Sequence, residues 1–216
     1  ACTLADFFAW QGQGESLPEG SFLLTFDDGF LGVYEHAAPV LVELAWPATV
    51  FLVSSLIGRK DEWCKTRNPG AASYPLLASK HISEMRNMGF TFQSHSRSHP
   101  DLTTLLEDQL VAELAGSRQD LENMLGEEVK YLAYPYGRFD ESVLRATRAA
   151  GYEAAFCTQS GFNRRGVDLY CVRRLEICGT DTTSMLARKI SFGSNDGSWQ
   201  QSARYYMGRI ADRLRF

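Results

Sequence analysis

Two aspartates stand side by side, Asp27 and Asp28, in the run TFDDGF at 25–30, directly after an apolar stretch and directly before a glycine. Adjacent carboxylates repel, so keeping both charged at one site calls for a cation or a shared proton; an ion held by one leaves the other as a base. Gly29 permits the sharp turn this needs, although an Asp-Asp-Gly turn alone is also ordinary turn chemistry. A second run, SHSRSHPDL at 94–102, places His95 and His99 at i and i+4 after another apolar stretch. Paired imidazoles are metal-ligand chemistry, and two His with one Asp leave coordination positions open for water and substrate, as a catalytic ion requires. Pro100 disfavours helical backbone at His99, so the two imidazoles are read as converging from a loop, not from successive helical turns. A third run, YLAYPYGRFDE at 131–141, carries Pro135-Tyr136-Gly137, a rigid turn that either aims a backbone N–H or packs as an aromatic rim.

These three runs need a frame that brings them to one edge. Short β-branched and aromatic stretches, FLLTF at 22–26, ATVFLV at 48–53, FTFQS at 90–94, YLAY at 131–134, AAFCT at 154–158 and YCVRRLEI at 170–177, read as strands. They alternate with helix-period segments, which implies a parallel sheet. Between 102 and 125, Leu106, Leu110, Leu114, Leu121 and Leu125 fall on one helical face, with Gly126 as a stop; Asp140 caps a second helix that Gly151 ends. Parallel strands put the acids, the imidazoles and the Pro-Tyr-Gly turn at strand C-terminal ends, where barrel active sites lie.

In this order the three motifs resemble those of the NodB-homology polysaccharide deacetylases, carbohydrate esterase family 4: TFDDG, then H-x-x-x-H before Pro, then the Pro-Tyr-Gly turn. The resemblance covers roughly 18–190 and takes in PATVFLV at 47–53, SHPDLTTL at 98–105, AGYEAAFC at 150–157 and RRLEI at 173–177. It implies an α/β fold, a distorted (β/α) barrel with about seven strands. It implies Asp28, His95 and His99 as ligands of a divalent metal, zinc first, with cobalt and nickel as alternatives. Asp27 becomes the general base, and the backbone N–H of Tyr136 a donor to the oxyanion. The implied partner is an acetylated polysaccharide, an exopolysaccharide foremost, losing N-acetyl groups as acetate.

Two departures stand out. Family members carry an arginine just before the Pro-Pro-Tyr of the third motif, where this chain has Ala133 and Tyr134. Its task of orienting the catalytic aspartate is assigned to Arg174, with Arg173 second; alternation sends the two to opposite faces, so one points inward. The family's late histidine has no counterpart: the remaining histidines, His36 and His81, are early and read as helical. The alternatives are therefore a catalytically weak, metal-dependent carbohydrate-binding module, or a peptidoglycan or chitooligosaccharide deacetylase with the same chemistry.

Composition bounds the rest. At 216 residues and 44% apolar content the chain fits one domain with a full core. It is divided here into a deacetylase domain at 1–190 and a C-terminal loop and amphipathic helix at 191–216 packed on it. The residues from 58 to 72 read as a long surface loop that forms a wall of the site. A net charge of −4 without basic clusters excludes a nucleic-acid footprint, and no apolar run is long enough for a membrane span. The five cysteines lack metal or scaffold spacing and read as buried thiols, with room for a single disulfide. The opening on Ala1 leaves room for a processed upstream segment, and the sequence assigns neither compartment nor oligomeric state.

Overall fold

The computed structural model describes residues 1–12, 14–64 and 72–200. Five parallel strands, β1 Thr25–Phe26, β2 Ala48–Leu52, β3 Phe90–Ser94, β4 Tyr131–Ala133 and β5 Ala154–Phe156, pair in chain order. The crossovers carry the helices α2 Ala38–Glu43, α3 Ser79–Asn87, α4 Glu107–Leu125 and α5 Glu141–Ala149, with α1 Leu4–Gly12 before the sheet and α6 Thr183–Phe192 after it. Every residue of β2 is buried, which is why it reads as an apolar run broken only by Thr49, whose hydroxyl is paired with that of Thr91: parallel strands are covered on both faces.

The two faces are covered differently. Val50, Leu52, Phe92, Leu132 and Ala155 pack outward against the helices in the main core, whereas Phe51, Ala133 and Phe156 pack inward with Val172 and with Leu4 and Phe7 of α1. The curled sheet is thus plugged from inside by α1. Pairing of Leu52 with Ser94, and of Ser94 with Leu132, aligns the strand ends, so that the residues immediately following β1, β3 and β4 emerge on one edge.

The described residues contain five strands rather than about seven. The stretch at 170–177 is not a strand: the Asp168 carboxylate accepts the Tyr170 N–H and starts a 3-10 turn, Leu169–Cys171, after which a single parallel bridge joins Val172 to Phe156. Helix α4 begins five residues later than its apolar period suggests. Asp101 accepts the Thr103 N–H and starts a separate turn at Leu102–Thr104, and Gln109 Oε1 accepts the Leu106 N–H, making Leu106 an extended cap. Leu106 is consequently 70% exposed, while Leu110, Leu114, Leu121 and Leu125 are buried together with Ser117. Gly126, at φ 70°, ends α4, and Asp140 caps α5 by accepting the Val143 N–H at 3.0 Å, as the sequence predicts.

Helix α6 runs through Ser191, where the sequence reads as loop, and ends at left-handed Gly193. Residues 201–216 of the expected C-terminal loop and amphipathic helix at 191–216, and residues 65–71 of the loop at 58–72, lie outside the described residues. No helix among those described is long and apolar enough to cross a membrane. The five thiols are free, with Cys2 and Cys157 buried, Cys64 and Cys171 half-buried and Cys178 exposed. Leu114 is fully enclosed between α4 and the sheet. Leu114→Ala is expected to lower stability by about 2–5 kcal/mol, read from the urea midpoint at unchanged slope.

Candidate active site

At the edge where the strands end, one carboxylate and two imidazoles converge. Asp28 Oδ1 lies 3.3 Å from His95 Nε2 and 3.2 Å from His99 Nε2. The same three side chains form a set whose ligand atoms all fall within 4.8 Å of one another. Asp28 Oδ1 is buried and accepts no hydrogen bond. Each imidazole is oriented from behind: His95 Nδ1 is 2.8 Å from the Ala133 carbonyl, and His99 Nδ1 is 3.2 Å from the Tyr136 hydroxyl. That hydroxyl in turn lies 3.5 Å from the His99 carbonyl, to which it donates. These contacts assign the proton to Nδ1 in both rings and turn the Nε2 lone pairs toward the buried Asp28 oxygen. Three acceptors facing one point need a cation or a proton among them, and a His-His-Asp donor set suits a divalent first-row ion.

The backbone that makes this convergence is strained. Five non-glycine residues have left-handed φ among those described, and four of them, Asp28, Ser96, His99 and Tyr136, belong to the site loops. Each costs of order 1–3 kcal/mol and persists where the surroundings enforce it. At Gly29, φ is +73° and an added Cβ would stand 2.8 Å from Leu52, so the residue after the acid pair has neither the conformation nor the room for a side chain. Glu113 of α4 enforces the histidine loop: its carboxylate accepts the Arg97 and Ser98 N–H groups, both at 2.9 Å, and the Ser98 hydroxyl at 2.6 Å. Ser117, buried on the same helix, donates to the Ser96 carbonyl at 2.9 Å. Arg138 joins the Pro-Tyr-Gly loop to Asp101, just past the histidines, at 2.5 Å.

Asp27 points the other way, into the curled sheet, where Arg174 meets it with two parallel bonds: Nη1 to Oδ1 at 2.6 Å and Nη2 to Oδ2 at 2.8 Å. Arg174 Nε donates to the Cys157 carbonyl, and its guanidinium lies over Phe51 and Phe156, so the fork is fixed on several sides. Arg173 is exposed and its N–H bonds Asn163. Burial works to raise the Asp27 carboxyl, but the charges of Arg174 and His95 and the paired bonds outweigh it and hold the group below the usual carboxylate range. With the imidazoles protonated, their Nε2–H groups and their charge would hold Asp28 low as well, against burial. The imidazoles themselves shift in opposite senses: burial disfavours protonation of both, Asp27 and Asp28 overcome it at His95, and burial prevails at His99.

Tyr136 itself sits at φ 60° beside Gly137 at φ 67°, with its ring edge-on to His99. An added Cβ on Gly137 would collide with the Thr158 side chain, so this tight turn depends on the glycine. His36 and His81 are elsewhere, His36 in a π-helical turn at Val33–Ala37 and His81 capping α3, where its Nδ1 accepts the Ala78 N–H. The structure adds two residues that sequence reasoning passed over. Trp63, from the loop at 58–72, stacks on the His99 ring at 4.3 Å between centroids; a tryptophan within a polar loop was the available signal. Glu113 carried no signal, being one acid among several on α4.

An open Asp-His-His set with a separately held carboxylate beside it is the arrangement of a hydrolytic site rather than of a closed structural ion. The family model for polysaccharide deacetylases matches residues 14–155, which include Asp27, Asp28, His95, His99 and Tyr136, and the chain belongs to that family. The poly-beta-1,6-N-acetyl-D-glucosamine N-deacetylase of Staphylococcus epidermidis is 28% identical over 182 residues, 80% of this chain and 60% of that one. The YxkH protein of Bacillus subtilis is 29% identical over 165 residues, 76% of this chain and 54% of that one. The chain therefore spans little more than half the length of these relatives. Among solved structures, IcaB from Ammonifex degensii superposes with a TM-score of 0.71 at 26% identity, covering 82% of this chain and 76% of that one. The deacetylase PplD of Streptococcus pyogenes, in complex with acetate, gives 0.71 at 25% identity, covering 83% and 75%. Arg174 lies beyond the family match, on the segment beside β5.

Calorimetric titration of zinc into the metal-stripped protein is expected to show one site. His99→Ala should abolish it, and Tyr136→Phe, which removes only the hydroxyl behind His99, should weaken it by about 10-fold. Unchanged affinity in His99→Ala would place the ion elsewhere.

Proposed function

We propose that this chain removes N-acetyl groups from N-acetylhexosamine units of a polysaccharide by metal-dependent hydrolysis. The observation that carries the reading is the division of labour between the adjacent acids: Asp28 faces two imidazoles, while Asp27 is held apart in a bidentate Arg174 fork. Binding alone would need no such second carboxylate. Asp28, His95 and His99 would hold the ion, zinc first, with cobalt or nickel as substitutes. A divalent ion there supplies Lewis acidity, which polarises an acyl carbonyl and lowers the pKa of water.

The protein's own groups do the remaining work. Asp27, kept ionised, accepts the proton of the attacking water at a carboxylate oxygen. Arg174 is a positioning residue: it fixes the Asp27 plane and keeps the carboxyl deprotonated. The Tyr136 N–H, presented by the left-handed turn at 136–137, is assigned to the oxyanion of the tetrahedral intermediate. With His36 and His81 outside the site, return of the proton to the leaving amine falls to Asp27 itself. The products are acetate and a free amine on the sugar.

The named activity of the Staphylococcus epidermidis relative makes a β-1,6-linked N-acetylglucosamine polymer the first substrate to offer. Acetate release should appear on that oligomer ahead of chitooligosaccharides, vanish with chelation and return with zinc or cobalt. Asp27→Asn should lower kcat by on the order of 10²–10⁴-fold while leaving zinc affinity nearly unchanged. Zinc binding without turnover on any acetylated sugar would instead support the carbohydrate-binding module.

Arg174→Met provides the pH test. Asp27 works deprotonated and Arg174 holds its pKa low; without the guanidinium, burial dominates and the pKa rises. The acid limb of kcat/KM should therefore move to higher pH in the variant, with activity lost first under mildly acidic conditions. An acid limb that stays in place would remove Arg174 from that role.

A further inference from the structure

Arg174 reaches Asp27 from a segment that is not a regular strand. After the turn at Leu169–Cys171, the chain runs beside β5. The Val172 N–H donates to the Ala155 carbonyl at 2.9 Å, the Cys157 N–H to the Val172 carbonyl at 3.0 Å and the Arg174 N–H to the Gln159 carbonyl at 3.1 Å. Side chains alternate along it. Val172 joins the inner cluster with α1 and Arg174 enters the same interior, while Cys171 packs outward against the main core. On that outer side it meets Cys157, which is fully buried just past β5, with the two sulfurs 3.1 Å apart.

We infer that Cys157 and Cys171 form a disulfide under oxidising conditions, a covalent staple that fixes the Arg174 segment to β5. The bond length of a disulfide is about 2.05 Å, so closure asks the sulfurs to approach by about 1 Å. The two residues lie on neighbouring, hydrogen-bonded chain segments with side chains on one face, which leaves little backbone movement to make. The oxidant is a small disulfide of the glutathione class. A cysteine thiolate attacks it and releases one thiol; the second cysteine then displaces the other. The protein loses two hydrogens, and the oxidant disulfide is reduced to two thiols.

Burial, with the Cys157 sulfur alongside, pushes the Cys171 thiol up to about 12, so thiolate is scarce at neutral pH and exchange is slow. The other cysteines offer a contrast: Cys178 is exposed, and oxidation governed by exposure alone would strike it first. The bridge stands on the opposite side of the segment from Arg174, so it can stabilise that segment without entering the site.

The test uses the whole chain carrying Cys178→Ser, reduced, then incubated with a glutathione redox couple at mildly alkaline pH without denaturant. After alkylation and digestion, mass spectrometry should find a Cys157–Cys171 linked peptide lighter by two hydrogens. The melting temperature should rise by roughly 6–12 °C, a gain reversed by dithiothreitol and missing in the further variant Cys171→Ser. Separately alkylated cysteines, glutathione adducts without a crosslink, a crosslink formed only in urea, or a crosslink without a rise in melting temperature would each overturn the inference.

Discussion

Two carboxylates on consecutive residues cannot share a partly enclosed corner of a protein unless each has its own compensating partner, and the site is arranged around that constraint. The left-handed backbone at Asp28 turns the two side chains apart, Asp28 toward the imidazoles and Asp27 toward Arg174. Separation lets both acids stay ionised while doing different things, because one environment offers lone pairs for a cation and the other a rigid guanidinium fork. The remaining elements serve this division: parallel register brings three strand ends to one edge, and α1 fills the inside of the sheet below them.

Strain at the site is held from outside. Left-handed backbone at Ser96 and His99 is unfavourable in isolation, and α4 opposes it with Glu113 on the loop's amides and Ser117 on the Ser96 carbonyl. Tyr152 extends the same network, its hydroxyl donating to the Leu114 carbonyl and lying 2.8 Å from Ser94 Oγ within the core. The histidine loop is thus anchored to α4, by Ser117 from its buried face and by Glu113 beside it. This is the support a preorganised site needs, since ligand atoms misplaced by an ångström lose their common focus.

Family members place the arginine that orients the catalytic aspartate just ahead of the third motif. Here Ala133 occupies that region, buried against Phe51 and Phe156, and the guanidinium enters from a different chain segment across the interior of the sheet. There it engages both oxygens of Asp27. Such an exchange is open to a curled sheet because its inward-facing positions all border one space. The segment carrying Arg174 then becomes part of the site although it contributes little to the sheet.

The sequence by itself determined the strand-helix alternation, the caps at Asp140 and Gly126, and the acid pair, imidazole pair and Pro-Tyr-Gly turn, because these depend on short-range periodicity and on residue types whose chemistry is local. It misplaced the start of α4 and the burial of Leu106 because Asp101 and Gln109 compete for backbone N–H groups, which a hydrophobic period does not register. It read 170–177 as a strand because β-branched and aromatic composition says nothing about the Asp168 bond that turns the chain. The sequence ranked Arg174 ahead of Arg173 for Asp27, but tertiary structure alone decided the two-bond contact between them, that Trp63 covers His99, and that Cys157 lies against Cys171. Each of these is a contact between residues far apart or on separate segments, fixed by how the sheet curls and not by anything within reach along the chain.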